Sequence, residues 1–341
     1  MKRLLVATDA WHPQINGVVR TFEHMVDELA KLGVDVTILA PSAFRTMPCP
    51  TYPEIRLTIA RPKTLRHALL AVAPDHVHVA TEGPLGFVAR RWCLATHRCF
   101  TTSYHTKFPE YLRERAPIPE SWTYAWLRRF HNAGSGCMVA TPSLEQDLAK
   151  RGFRNLMRWT RGVDSSLFRP RQDQSGLNLP RPIFLYVGRV APEKNLGAFL
   201  SLGLPGSKVV VGEGPALPGL KAAHPEAHFL GLREGEALAE VYGAADVFVF
   251  PSRTDTFGIV LLEALASGLP VAAYPVTGPS DVIGSAGIGV LDEDLGKAAL
   301  AALKIPRVRC RAFALAHGWQ VSGRQFLDNI LAAHTRAESA A

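Results

Sequence analysis

The feature that most limits the possible folds is a regular alternation of short apolar runs with amphipathic stretches of helical period. The run Leu4–Ala7 leads through a polar loop, DAWHPQING, into Val18–Lys31, where Val18, Phe22, Met25, Val26 and Leu29 recur on one helix face. Gly33 ends that helix and VDVTILA follows as a strand, which completes a β-α-β unit. The series restarts at IFLYVG, Ile183 to Gly188, and continues through KVVVG, HFLG, DVFVF and PVAAY, separated by helical stretches. A helix after each strand covers both faces of a parallel sheet, so the pattern predicts an α/β chain of two doubly wound domains. Between them Phe168–Pro182 is rich in proline and polar residues and has little to bury. It sets the expected boundary, with an N-terminal domain over 1–170 and a C-terminal domain over 171–318.

Composition narrows the setting. At 341 residues and 47% hydrophobic content, the chain can build two cores. Its five cysteines are scattered and contain no Cys-x2-Cys pair, so neither a disulfide framework nor a zinc site is expected and a reducing cytoplasm is the default. The apolar run after the basic start MKR is cut at Asp9, too early for a signal peptide, and nothing approaches the roughly 20 apolar residues of a membrane span. The net charge of +8 is unevenly placed: residues 1–170 hold 23 basic and 14 acidic side chains, residues 171–341 hold 15 and 16. A basic first half predicts contact with an anionic surface, either acidic lipid or nucleic acid, or else a solvated face.

Open parallel sheets bind ligands beyond the carboxyl ends of their strands, and two such domains facing each other would leave a cleft between them. In SRTDTFGIVLLEALASG, Ser252 to Gly268, SRTDTFG reads as the loop after strand DVFVF and IVLLEALA as an apolar helix closed by Gly268, with Asp255 at the loop-helix junction and Glu263 eight residues on. At 1.5 Å per residue the two acids stand about 12 Å apart along the axis, too far to act on one atom but suited to the two ends of an elongated polyhydroxylated ligand. The N–H groups near Phe257 and Gly258 would face phosphates between them. Taken singly, Asp255 also reads as a helix cap and Glu263 as an exposed helix position. Arg189 and Lys194, in YVGRVAPEKN after another strand, suit a diphosphate. Gly188 ends that strand, and Gly212 and Glu213, in GEGPAL, follow a third. A nucleotide sugar has the matching layout of sugar, diphosphate and ribose.

In this order the motifs resemble those of the retaining glycosyltransferases of family 4, whose two-Rossmann architecture is called GT-B, and the resemblance covers nearly the whole chain. PQINGV is similar to the family's N-terminal loop, which implies that Gly17 lies near the donor phosphates. RGVD with Phe168 and Pro170 is similar to the segment before the hinge, and GRVAPEKN carries the family's Arg-x4-Lys pair. TDTFGIVLLE resembles the Glu-x7-Glu motif, with Glu263 implied as the ribose-binding acid and Asp255, one methylene shorter, in place of the first Glu. His105 matches the family's histidine near the donor sugar, and HGWQVSGRQF resembles the C-terminal helix, here 319–335, that crosses back to the first domain. The resemblance implies front-face departure of the nucleotide, with Arg189 and Lys194 stabilising the diphosphate, and with no metal or other cofactor beyond the nucleotide-sugar co-substrate. The acids Asp292–Asp294 read as a helix start rather than a metal site.

The acceptor side is read from Phe108–His131, which interleaves Tyr111, Trp122, Tyr124, Trp126 and Phe130 with Arg113, Arg115, Arg128 and Arg129, and from the basic, apolar segment Arg61–Pro74. Trp122, Trp126, Arg128 and Arg129 are the expected contacts to anionic lipid. Within its family the chain is similar to bacterial phosphatidylinositol mannosyltransferases and diacylglycerol glycosyltransferases. A lipid acceptor and a peripheral position on the inner face of the cell membrane are therefore expected. A soluble or polysaccharide acceptor is the alternative. An oxidoreductase would need Gly-x-Gly-x-x-Gly in the first loop, which DAWHPQING lacks, and no nucleic-acid recognition motif is present.

Overall fold

The computed structural model describes residues 1–14, 16–49, 52–59, 62–113, 118–171 and 175–339. The chain forms two compact units, Met1–Thr160 with Trp319–Ala341, and Arg161–Gly318. In the first unit the order is β1 (Arg3–Ala7), α1 (Gly17–Lys31), β2 (Asp35–Leu39), the antiparallel pair β3 (Thr46–Cys49) and β4 (Tyr52–Thr58), α2 (Pro62–Val72) and β5 (His76–Val79). There follow α3 (Pro84–Ala95), β6 (Phe100–Tyr104), α4 (Phe108–Arg113), α5 (Glu120–His131), β7 (Gly136–Val139), α6 (Pro142–Lys150) and β8 (Leu156–Arg158). The six-stranded sheet has the order β2-β1-β5-β6-β7-β8 and is parallel throughout. Leu4–Ala7 is buried on both faces, which is why a parallel strand can be an uninterrupted apolar run. Asn16 starts α1 by accepting the N–H groups of Val18 and Val19 on its side-chain oxygen.

The second unit runs β9 (Ile183–Val187), α7 (Leu196–Leu200), β10 (Ser207–Val211), α8 (Leu217–Ala223), β11 (His228–Phe229), α9 (Gly235–Ala244), β12 (Val247–Phe250), α10 (Ile259–Ala266), β13 (Val271–Ala273), α11 (Thr277–Ile283), β14 (Gly289–Leu291), α12 (Leu295–Ala302) and α13 (Arg307–Leu315). Its parallel order is β11-β10-β9-β12-β13-β14, the Rossmann order. Phe184, Tyr186, Phe199, Val210 and Val249 form the centre of its core. The chain then returns to the first unit as α14 (Trp319–Glu338), whose face of Trp319, Ser322, Phe326, Ile330 and Ala333 is buried at helical spacing and packs on α1, β6 and β7. Trp159 donates from Nε1 to Ser322 Oγ at 3.1 Å, and His24 stacks on Trp319 with ring centroids 4.5 Å apart.

The division falls at 160/161, ten residues before the expected boundary, because the intervening segment packs on the second unit. Val163 bridges Gly318, Arg311 donates to the carbonyls of Ser165 and Phe168 at 2.8 and 2.7 Å, and the Phe168 ring meets Tyr242 edge-on. The polar segment 168–182 continues that packing, since Arg171 pairs with Glu236 and Arg181 donates to the Ala244 carbonyl at 3.2 Å.

Candidate functional site

A doubly wound sheet opens a crevice where chain connections leave in opposite directions from two neighbouring strands. In the second unit that point lies between β9 and β12, which pair directly through Phe184–Val247 and Leu185–Phe248. The loops after these two strands carry Arg189 and Lys194 on one side and Asp255 on the other. They are fastened together, since Asn195 donates from Nδ2 to the Pro251 carbonyl at 3.1 Å and Lys194 Nζ donates to Asp255 Oδ1 at 2.5 Å. The pair is largely shielded, with Lys194 20% and Asp255 17% exposed. Asp255 Oδ2 is buried and makes no hydrogen bond among the described residues. Arg189 lies 3.7 Å from Glu193. The loop after β10 closes the third side: the Val190 N–H donates to the Glu213 carbonyl and the Ala216 N–H to the Val190 carbonyl. Gly212 must be glycine here, because a Cβ would stand 2.0 Å from the Gly188 carbonyl oxygen. Gly188 and Gly212 thus hold two loops backbone to backbone, while the Glu213 side chain is exposed.

The helix begins at Ile259, as its sequence places it, after Gly258 in a left-handed conformation (φ +82°). The helical rise therefore does not extend back to Asp255, and the expected spacing of about 12 Å along the axis does not apply to the two acids. Asp255 therefore belongs to the loop and pairs with Lys194 rather than capping a helix. Glu263 is half-buried on α10 and accepts from the Tyr242 hydroxyl at 2.9 Å. Burial, and then the charge of Glu263, push the Tyr242 phenol well above its ordinary pKa, so it remains a donor that aims the carboxylate. Phe257 is buried beside this loop.

In the first unit Gly17 is the first residue of α1, and its carbonyl accepts from Thr21 Oγ1. His105 follows β6 and lies edge-on to Phe22 and Trp159, with centroids 5.8 and 6.0 Å away. The switch point of this sheet, between β1 and β5, is filled by a residue that the sequence reading passed over. Asp9 is buried and accepts from Thr81 Oγ1 at 2.9 Å and from the Leu85 and Gly86 N–H groups at the start of α3. Burial raises its pKa above the usual carboxylate value, against the lowering effect of those bonds. Its signal was an acid placed directly after a buried strand, but its partners lie more than seventy positions away.

The acceptor residues divide. Trp122 on α5 is 72% exposed, whereas Trp126 is 42% exposed and packs on Phe87 at 5.4 Å. Arg128 is exposed and donates from one guanidinium nitrogen to the Arg151 carbonyl at 3.0 Å, which ties α5 to the next loop. Arg129 is exposed. It lies near Arg90, whose guanidinium pKa is depressed by burial and then by the charge of Arg129. Tyr124 is buried and donates to Glu110. Arg61 and Arg115 fall outside the described residues, as does the side chain of Tyr111. Asp294 caps α12 by accepting the Lys297 N–H.

Two family models match the chain, Glycosyltransferase Family 4 over residues 15–167 and Glycosyl transferases group 1 over residues 181–305. A GDP-mannose-dependent alpha-mannosyltransferase of Mycobacterium tuberculosis is 30% identical over 310 residues, covering 82% of this chain and 81% of that protein. The sulfoquinovosyl transferase of Arabidopsis thaliana is 29% identical over 79% of this chain and 58% of its own length. Among solved structures, the sucrose-phosphate synthase of Thermosynechococcus elongatus superposes over the full length of both chains with a TM-score of 0.79 at 20% identity. HepE of Anabaena, solved with UDP, gives 0.72 over 97% of this chain and 100% of its own at 14% identity.

Proposed function

The chain belongs to glycosyltransferase family 4, and from that premise we propose that it moves a hexose to a lipid acceptor at an anionic membrane surface. Its fold is GT-B and its class is a nucleotide-sugar-dependent hexosyltransferase, not an oxidoreductase. The proposed reaction retains the anomeric configuration and uses no metal or other cofactor. The observation that carries the donor site is the Asp255 Oδ2 lone pair, buried with no donor among the described residues beside the Lys194 ammonium at the switch point of the second sheet. Buried acceptors seek a donor, and a sugar hydroxyl provides one. In this reading Lys194 and Arg189 receive the negative charge that builds on the diphosphate as it departs, Glu263 binds the ribose hydroxyls, and Gly188, Gly212, Phe257 and Gly258 shape the backbone around the phosphates. Glu213, though exposed, joins the donor side through its carbonyl. His105 and Gly17 keep their proposed roles toward the donor sugar and phosphates. GDP-mannose, named for the mycobacterial relative, is the first donor to try, and UDP-glucose the second.

The lipid reading is supported by exposed Trp122, by Arg129 beside Arg90, and by the basic excess confined to residues 1–170. Among the described residues no helix is long and apolar enough to cross a membrane, so attachment by surface charge and aromatic insertion is proposed, on the cytoplasmic face. Each Lys or Arg near an anionic surface contributes about 1 kcal/mol, and screening shortens that reach from about 10 Å at 0.1 M salt to about 3 Å at 1 M. The test is hexose transfer from GDP-mannose or UDP-glucose to phosphatidylinositol or diacylglycerol in anionic vesicles, with the product anomer read by NMR. Transfer should require the vesicles, fall steeply with salt, and fall in Trp122→Ser and Arg129→Ser while donor affinity stays unchanged. Efficient transfer to soluble sugars without vesicles overturns the lipid reading and leaves the transferase class standing.

A further inference from the structure

Three metal-ligating side chains meet at the amino ends of the first sheet, the opposite end from the loops that carry Asp9 and His105. His76 opens β5, Cys99 immediately precedes β6, and His334 comes from the last turns of α14. One ligand atom from each lies within 4.8 Å of the other two. His76 is buried, Cys99 and His334 are half-buried, and His76 Nδ1 stands 2.9 Å from His334 Nε2. We propose that His76, Cys99 and His334 bind a zinc ion that fastens the C-terminal helix to the first sheet.

The geometry needs only small movements. Tetrahedral zinc with bonds of about 2.0 Å to nitrogen and 2.3 Å to sulfur sets ligand atoms about 3.3–3.6 Å apart. The two imidazoles therefore open slightly and the sulfur closes by at most about 1.2 Å from the 4.8 Å limit, within the reach of one side-chain rotation. The outer contacts already orient the buried ring. His76 Nε2 faces Thr101 Oγ1 at 2.9 Å, the same hydroxyl faces His78 Nδ1 at 2.9 Å, and His78 Nε2 faces Ser103 Oγ at 2.8 Å. With Nε2–H of His76 donating to Thr101 and the Thr101 hydroxyl donating to His78, every member of the chain is satisfied and the His76 Nδ1 lone pair is left pointing at the site. A ligating histidine held through its other nitrogen in this way is the usual support of a metal centre.

Zinc takes a cysteine as its thiolate, so binding releases the Cys99 thiol proton to solvent, and each histidine supplies one ring-nitrogen lone pair. Two nitrogens and a thiolate select a borderline or soft ion and disfavour magnesium and calcium, which take oxygen ligands. Water completes the fourth position. The cysteine-spacing argument misses such a site because its ligands are spread from position 76 to position 334 and only the return of α14 assembles them.

The full chain, stripped of metal, is titrated with Co2+ as the spectroscopic stand-in for zinc. The expected result is one cobalt per chain with a sulfur-to-cobalt charge-transfer band that Cys99→Ser abolishes. His334→Gln should weaken binding about tenfold or more, and Thr101→Val, which removes only the outer contact, by about 10–100-fold. Zinc should raise the unfolding midpoint of the wild type and leave that of Cys99→Ser unmoved. Cys99→Ser exchanges one atom, so it remains decisive if His334→Gln fails to fold. The proposal is overturned if no stoichiometric cobalt binds, or if the band and affinity persist in Cys99→Ser.

Discussion

Where the first sheet reverses, between β1 and β5, the acid that follows the strand turns inward; where the second reverses, between β9 and β12, the acid meets a lysine at a partly open edge. Both crevices have the topology that binds ligands in open α/β sheets. In the first, Asp9 occupies the N-terminal N–H groups of α3, so the position an anion would take at that helix is already filled by a side chain. In the second, the loops supply two cations, Arg189 and Lys194, and an acid with a buried lone pair. Topology therefore offers two candidate donor sites, and local chemistry closes one and equips the other.

The largest effect expected from this contrast is on turnover. Lys194→Ala and Arg189→Ala remove charge that would meet the departing diphosphate, and losing one such contact costs about 3 kcal/mol, or roughly a hundredfold or more in kcat. The stability cost of Arg189→Ala should stay within about 1 kcal/mol, whereas Lys194→Ala leaves the largely shielded Asp255 carboxylate without its ion partner and should cost about 1–3 kcal/mol, still no more than its effect on turnover. Steady-state kinetics set beside thermal melts separate the two. Turnover near wild type in both variants would falsify the assignment of the second switch point and leave the two crevices functionally equivalent.

A smaller effect sharpens which end of the second site holds the nucleoside. Glu263 is aimed by the Tyr242 hydroxyl, whereas Asp255 is held by Lys194, and the two acids stand on different elements. Glu263→Gln weakens hydrogen bonds made by a charged acceptor, so it should lower affinity for the bare nucleoside diphosphate about tenfold, near 1.4 kcal/mol. Asp255→Asn should leave that affinity nearly unchanged and weaken only the sugar-bearing donor. Calorimetry with both ligands decides, and equal losses in both variants would dissolve the division.

Much of this was legible in the sequence, and the gaps have a common cause. The strands beginning at Leu4, Val34, Ile183 and Val247, and the helix over Val18–Lys31, follow from local periodicity, and the structure has them. The motif residues Arg189, Lys194 and Asp255 were singled out from their loops, but their meeting was not, because strand order brings loops 61 residues apart together. The helix IVLLEALA was legible and the structure has it at Ile259–Ala266, but the left-handed conformation of Gly258, which separates Asp255 from that helix, was not. The domain boundary moved because Arg311 and Tyr242 claim the segment up to Phe168. Asp9 was missed because an acid after a strand is common, and its role depends on Thr81 and α3.

The smallest effect tests the closed crevice, through its pH dependence. Burial raises the Asp9 pKa above 3.8, so the native chain holds this proton to higher pH than the unfolded chain does. Stability contributed by the group is full below about 3.8 and is lost as pH rises through the raised native value, because the native state binds more protons in that window. Asp9→Asn keeps the shape and removes the titration, but an amide has one acceptor oxygen where the carboxylate serves Leu85 and Gly86 with two, so one helix N–H loses its partner at a cost of about 1 kcal/mol. Denaturant unfolding at pH 4 and pH 7 should therefore find the penalty of Asp9→Asn larger at the lower pH, with donor affinity unaltered at both. A penalty that grows with pH reverses the sign and places a stabilised charge at Asp9. Loss of donor binding in Asp9→Asn would instead make the first switch point part of the donor site, and the contrast between the two sheets would fail.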